Sequence, residues 1–471
     1  MQALRAAGIA PAINQRIRDV SLLEKQIDRE INPVELHKAN PARYPHLLQS
    51  TANGRYDILF AFPGDSLRLT NDGKLYLPGD AVPTSGDFLD QLDRWCTEQY
   101  SAPEVSDFPF SSGWFVFLSY ELAAQIEPSL NLHSSTGTLP AAIATRFRTA
   151  LVVDHQKGIT SIVGEPGQQQ RLEQILADVR ALPPQPLSSV AEVPVAGVHE
   201  DDPQQYLDAV ARIHNYIVEG DVFQVNLSRC WRINLGQTVD AAVLFDNLGI
   251  HNPSPFSGLA RWPDAAIISS SPERLVSVHG RTVETRPIAG TRPRSATAAA
   301  DVGLSDEWMS NPKERAEHVM LIDLERNDLG RICVPGSIEV NELMVLESFA
   351  HVHHIVSNVR GTLRDDVLPG QVIRAVFPGG TITGCPKVRC MEIIAELEHE
   401  ARGAYTGSMG YINRDGSMDL NILIRSMVYC GNELQLRAGA GIVADSVAAA
   451  ELEETRSKAR GLLHALGLHP S

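Results

Sequence analysis

Three prolines beyond residue 195, Pro203, Pro312 and Pro386, each stand where a helical run begins. Proline has no N–H and a fixed φ, so it is tolerated in the first turn of a helix and little further in. After Asp202-Pro203, the residues Tyr206, Val210, Ile213 and Ile217 recur at helical spacing. Between these helix starts lie short strand-like runs, at 266–270 and 408–412 among others, and a last helix is expected to open at Val447. The first half alternates in the same way, with strand-like runs at 56–62, 113–118 and 149–153 and a helical stretch at 88–98. The pattern predicts an α/β or α+β fold with substantial sheet.

The Pro-rich stretch PPQPLSSVAEVPVAGVHEDD reads as an exposed linker. It suggests a division into residues 1–195 and 196–471. At 471 residues the chain is long enough for one large domain or two to three ordinary ones. With 43% apolar and 21% charged residues it reads as a globular, cytoplasmic protein, and no apolar run approaches the length of a membrane span. The formal charge of −16 argues against a nucleic-acid binder, though a local cationic pocket for a small anion stays compatible with it. The six cysteines include no C-x-x-C pair and no zinc spacing, and none sits in the G-x-C-x-G setting of a glutamine-hydrolysing nucleophile.

Four segments bear candidate chemistry. In the last helix, Glu451, Glu454 and Lys458 fall on one stripe, with Ser446 as the expected cap. In NPKERAEHVMLIDLERNDLGR, Glu314, Glu317 and His318 occupy early helical turns. Spacing alone makes both stripes solvated charged faces as readily as sites. Converging, they would suit a hard cation such as magnesium, which takes oxygen ligands. The third segment, FPGGTITGCPKVRCMEII, leads glycines into a helix N-terminus that would favour an anion. It is not a P-loop, because Cys385 stands where lysine is required. The fourth, RAGAGIVADS, offers backbone amides at Gly439 and Gly441.

Taken in order, SPERLVSVHGRTVETRPIAGTRPR, PKERAEHVMLIDLERNDLGR, HVHHIVSNVRG, FPGGTITGCPKVRCMEIIAELE, GSMGYINRDGSMDLNILIR and AGAGIVADS…AELEETRSKA resemble the chorismate-utilising enzymes over about 260 residues. That family includes component I of anthranilate synthase and of aminodeoxychorismate synthase, isochorismate synthase and salicylate synthase. The resemblance implies two large, mostly antiparallel sheets packed face to face with flanking helices. It also implies a magnesium ion held by Glu317 and Glu454 with Glu451 in the same cluster, and Glu273 as the acid that protonates the departing C4 hydroxyl. His354, Thr381, Gly384, Tyr405, Arg425, Gly439, Gly441 and Lys458 match substrate-site positions. The segments YPHLLQS and NPSPF, with Ser50 and Phe256, resemble a tryptophan pocket, although core or turn roles suit both residues equally.

Water-adding members resemble one another in carrying a lysine base where this chain has Gln224. The neutral amide points to ammonia as nucleophile, supplied by a separate glutamine amidotransferase subunit. Ala289, in PIAGT, is the anthranilate-like residue, whereas PGGTITGCPK and HVHHIVS are closer to aminodeoxychorismate synthases. The expectation is therefore aminodeoxychorismate synthase component I, serving 4-aminobenzoate and folate synthesis. Anthranilate synthase component I is the first alternative, and an inactive partner-binding paralogue the second.

Overall fold

The computed structural model describes residues 22–52, 54–102, 107–183, 190–293, 312–348 and 352–469. Two antiparallel sheets organise the chain. The twelve-stranded sheet runs Leu23–Ile27, Ile159–Gly164, Thr149–Asp154, Tyr56–Ala61, His46–Gln49, Phe256–Arg261, Ala266–Ser271, Ser426–Cys430, Glu433–Ile442, Gln224–Leu235, Val195–Glu200, with Gly384–Cys385 added beside Gln224–Leu235. The eleven-stranded sheet runs Ile288–Pro293, Val352–Thr362, Thr282–Thr285, Arg274–His279, Met418–Asn421, Ser408–Asn413, Gly113–Leu118, Ala142–Phe147, Ser66–Leu69, Leu75–Tyr76, with Glu339–Ser348 paired to Val352–Thr362. Each sheet thus combines strands from before and after residue 195.

The sheets pack face to face because both present apolar inner faces. Ile58, Phe60, Val152 and Ile267 of one meet Phe115, Phe117, Ile143 and Met409 of the other in a single core. Aromatic rings interlock there: Phe60 meets Phe115 at 5.4 Å and Phe147 at 5.3 Å. The outer face of the first sheet is covered by helices Pro33–Ala39, Gln169–Ala181, Ala241–His251 and Ala448–Ala465. Phe88–Glu98, Pro312–Gly330 and Pro369–Val376 cover the outer face of the second.

Local signals act as the sequence implies, with two exceptions. Asp202 caps helix Pro203–Glu219 by accepting from Gln204 N, with proline in the first turn. By contrast, the last helix is capped at Val447, and the Ser446 hydroxyl instead accepts from Val443 N at 3.1 Å. Val195–Glu200, read above as linker, is an edge strand paired with Gln224–Leu235. Its alternating half-buried and exposed residues leave little apolar signal in the sequence.

Candidate active site

The strand ends of both sheets and the loop 377–384 bring Glu273, Thr381, Arg425, Lys458, Gly439 and Tyr405 together. Glu273 lies in the two-residue link between Ala266–Ser271, in one sheet, and Arg274–His279, in the other. It is 4% exposed. Its backbone is fixed at both ends: its N–H donates to Ser271 Oγ at 3.2 Å, and its carbonyl accepts from Ile422 N at 3.0 Å. Burial pushes its carboxyl up to about 7, against the partial relief of the Ile288 N–H and the positive charges of Lys458 and Arg425. The Thr381 hydroxyl also favours the ionised form, but it lies outside good hydrogen-bond geometry and is buried without another partner.

Arg425 sits at φ +51°, a strained conformation for a side chain of its size, and its Nε donates to Lys458 O at 3.0 Å. Lys458 in turn donates to Gly439 O at 2.9 Å and pairs with Glu454 at 2.7 Å. One residue chain thus links the last helix, strand Glu433–Ile442 and the loop after Met418–Asn421. Tyr405 is buried, which pushes its phenol up to about 12 despite the nearby Arg402.

Glycine is required where the strands approach. Gly384 has φ +131°, and a Cβ there would stand 2.1 Å from Gln224 O. A Cβ on Gly441 would meet Gln224 Nε2 at 2.3 Å. One on Gly439 would stand 2.8 Å from both Asn226 Oδ1 and Tyr405 Oη. Gln224 and Asn226 are almost wholly buried, and the carbonyl oxygen of each side chain lacks a partner.

Other expected residues are placed less closely. Glu317 lies on helix Pro312–Gly330, Glu451 and Glu454 on Ala448–Ala465. Among the described residues, no three His, Cys, Asp or Glu side chains stand close enough to hold a metal ion. Ala289 lies at a register shift in strand Ile288–Pro293, and His354 pairs with Thr291 across to it. The side chains of Ala289 and His354 fall outside the described residues. Ser50 follows strand His46–Gln49 and Phe256 opens the adjacent strand, since Gln49 pairs with Ser257. Ser50 Oγ is buried without a partner, and the Phe256 ring lies 5.0 Å from the Arg274 guanidinium. A cavity of about 620 Å³ is lined by Tyr405, Arg402, Arg437 and other residues of strand Glu433–Ile442, and Glu273 is not among its lining residues.

The sequence of residues 44–464 matches the family model of chorismate binding enzymes. This chain belongs to that family. It is 39% identical over 447 residues to "Aminodeoxychorismate synthase component 1" of Bacillus subtilis strain 168, covering 92% of this chain and 94% of the relative. It is 38% identical over 427 residues to "Anthranilate synthase component I-like protein" of a Synechocystis strain, covering 90% and 84%. Among solved structures, anthranilate synthase component I from Streptococcus pneumoniae matches with a TM-score of 0.78 at 32% identity, over 87% of this chain and 92% of that one. The chain is a chorismate-utilising enzyme with the anthranilate synthase component I fold. Relatives named for each of these two synthases stand at similar identity.

Within that family frame, the structure adds residues that sequence reading did not select. Glu325 and Asp328, one helical turn apart, are both buried, and Lys387 pairs with Asp328 at 2.5 Å. Two carboxyls share one cation here. Burial first, then the Asp328 charge, pushes Glu325 up to about 8. The i,i+3 spacing in DLERNDLGR carried that signal, but Lys387 is 59 positions from Asp328. Asn226 is the other addition.

Proposed function

We propose that this chain is component I of an aminodeoxychorismate synthase, replacing the C4 hydroxyl of chorismate by an amino group from ammonia that a separate glutaminase subunit supplies. The observation that carries amination is Gln224. A neutral, buried carboxamide occupies the place of a base, so water has nothing to activate it. Ammonia needs no such base, since its lone pair is already nucleophilic.

Chorismate is a dicarboxylate. Arg425, Lys458 and the backbone of Gly439 and Gly441 form the cationic and N–H-rich wall that suits its carboxylates. Glu317, Glu451 and Glu454 are oxygen donors of the kind that magnesium prefers, although no three acidic side chains among the described residues already stand together; if bound, the ion would neutralise substrate carboxylate charge. In the reaction, the nitrogen lone pair forms the C–N bond as the C4–O bond breaks. Glu273, held protonated by burial, gives its proton to the departing hydroxide, which leaves as water. The new ammonium group then returns one proton to the Glu273 carboxylate. Chorismate and ammonia are converted to 4-amino-4-deoxychorismate and water.

PGGTITGCPK and HVHHIVS support retention of pyruvate and the 4-amino product. Ala289 favours the second reading, in which ammonia adds at C2 and pyruvate is eliminated to give anthranilate. Product analysis separates them: 4-aminobenzoate forming only after a lyase is added supports the first reading, and fluorescent anthranilate with pyruvate release overturns it. Glu317→Gln or Glu454→Gln should raise the magnesium concentration needed for turnover. Unchanged magnesium dependence in both would refute the ligand assignment.

A further inference from the structure

We infer that Glu325 is a positioning residue for Glu273: its buried carboxyl packs behind Gly380 and beside Thr285, and so sets the two segments that reach the Glu273 side chain. The inference rests on the reading of Glu273 as the acid of the chorismate reaction and adds the residue that fixes its surroundings.

Two segments approach the Glu273 carboxyl. One is the turn at Gly380-Thr381, whose Thr381 hydroxyl faces Glu273. The other follows strand Thr282–Thr285 and brings the Ile288 N–H to 3.5 Å from Glu273 Oε1. Glu325, on helix Pro312–Gly330, lies against both. A Cβ added at Gly380 would stand 3.3 Å from Glu325 Oε1 and 2.5 Å from Leu324 Cδ2, so the helix already fills the space behind the turn. The Thr285 hydroxyl faces Glu325 and is buried without a bonded partner. One helical turn on, Asp328 pairs with Lys387, which also reaches Val376 O at 3.4 Å. That pair ties the same helix to both flanks of the loop 377–384.

A leucine would fill this place without the cost of taking a carboxyl out of water. The polar atoms of Glu325, rather than its bulk, therefore need a role. The charged groups that face it are Asp328 on its own helix, Lys387 on helix Lys387–Glu398, and Glu273. Burial and the two anions favour its protonated form, against the relief of Lys387. A protonated carboxyl has one donor and keeps acceptor capacity, so one group can serve the Thr285 hydroxyl and the peptide at Gly380 together.

The Thr381 hydroxyl and the Ile288 N–H both favour the ionised form of Glu273. The charges that face Glu273 are Lys458 on the last helix, Arg425 in the loop after Met418–Asn421, and Glu325 once ionised. Loosening the two segments would remove the relief that they supply, and burial would push the Glu273 carboxyl further up. A residue that only supported the fold would leave the titration of Glu273 where it is.

The test uses the full chain with magnesium and follows chorismate consumption, with free ammonia held constant across pH. Glu325→Leu should lower kcat at about pH 6 by about tenfold and leave the chorismate KM within about twofold. It should also move the alkaline decline of kcat/KM upward from about 7 by about one pH unit. Glu325→Gln keeps the length and both hydrogen-bonding functions, and should restore most of kcat and the native pH profile. Glu325→Asp draws the carboxyl back by one methylene and should show part of both effects, which preserves the test if the leucine variant does not fold. A decline that stays at about 7 in both the leucine and the aspartate variants would overturn the inference. So would a chorismate KM that rises as far as kcat falls, or a glutamine variant as impaired as the leucine one. Undiminished chorismate consumption in Glu273→Gln would sink the reading of Glu273 and this inference together. Lost consumption in Glu273→Gln, with an unmoved decline in the Glu325 variants, would sink this inference alone.

Discussion

Two buried carboxylate clusters, one around Glu398 at the end of helix Lys387–Glu398 and one around Glu273 in the link between the two sheets, are built in opposite ways. In the first, Glu398 accepts from Arg402 Nη2 at 2.6 Å, Arg437 Nη2 at 2.9 Å and the Ser228 N–H at 2.8 Å. Arg402 adds the carbonyls of Ile382 at 3.0 Å and Asn226 at 2.7 Å, and Arg437 adds Glu400 at 2.6 Å. Burial would push the Glu398 carboxyl up, but the two guanidinium groups prevail and hold it below the ordinary value. In the second cluster, no guanidinium among the described residues is bonded to Glu273, and burial prevails. Beside it the Thr381 hydroxyl keeps no partner, as do the carbonyl oxygens of Gln224 and Asn226, whose carboxamides lie against Gly441 and Gly439. The first cluster is complete without a ligand and can only hold the chain together. The second is incomplete in the way a site awaiting a charged, hydrogen-bonding substrate must be.

Glu273→Gln should lower kcat by about 10²–10⁴-fold, the usual contribution of a general acid, while the variant stays folded. Loss of folding with no separable loss of turnover would place Glu273 in the structural class. Conversely, Glu398→Ala strands Arg402 and Arg437 as buried charges and should destabilise the fold by about 3–5 kcal/mol in urea melts. Normal stability with lost chorismate binding would move Glu398 into the site.

A smaller effect is expected at Gly441→Ala. The added methyl meets the flexible end of Gln224 rather than backbone, so the thermal midpoint should hold while kcat/KM falls by about tenfold. A large loss of stability would show the glycine to be structural. The pH dependence should be subtler still. Glu273 must be protonated to act, so kcat should decline as pH rises through about 7. Its folded value lies above its ordinary 4.5, so its contribution to stability is full below that value and is lost as pH rises through about 7. The melting temperature of Glu273→Gln relative to the native chain should accordingly rise between pH 5 and pH 8. A difference independent of pH would contradict the raised carboxyl.

Most of the frame was legible in the sequence because its signals are local. Helices Pro203–Glu219 and Pro312–Gly330 start with proline in the first turn, and Lys387–Glu398 follows Pro386 as its cap. The strands that fill the inter-sheet core are rich in aromatic and β-branched residues. The site was legible only through ordered resemblance, since carboxylates at helical spacing read equally well as solvated faces. What stayed hidden depends on distant partners. Asn226 reads as an ordinary polar residue of a strand until Gly439 and Gly441 are placed beside it. The pairing of Asp328 with Lys387 likewise exists only once the loop 377–384 brings two helices together.

On the reading proposed above, this chorismate site takes ammonia and not water. Mass analysis of products formed from chorismate, magnesium and ¹⁵N-ammonium in H₂¹⁸O tests it most directly. The expected product carries one ¹⁵N, no ¹⁸O and an intact enolpyruvyl group. An ¹⁸O-labelled isomer of chorismate without ¹⁵N would contradict it.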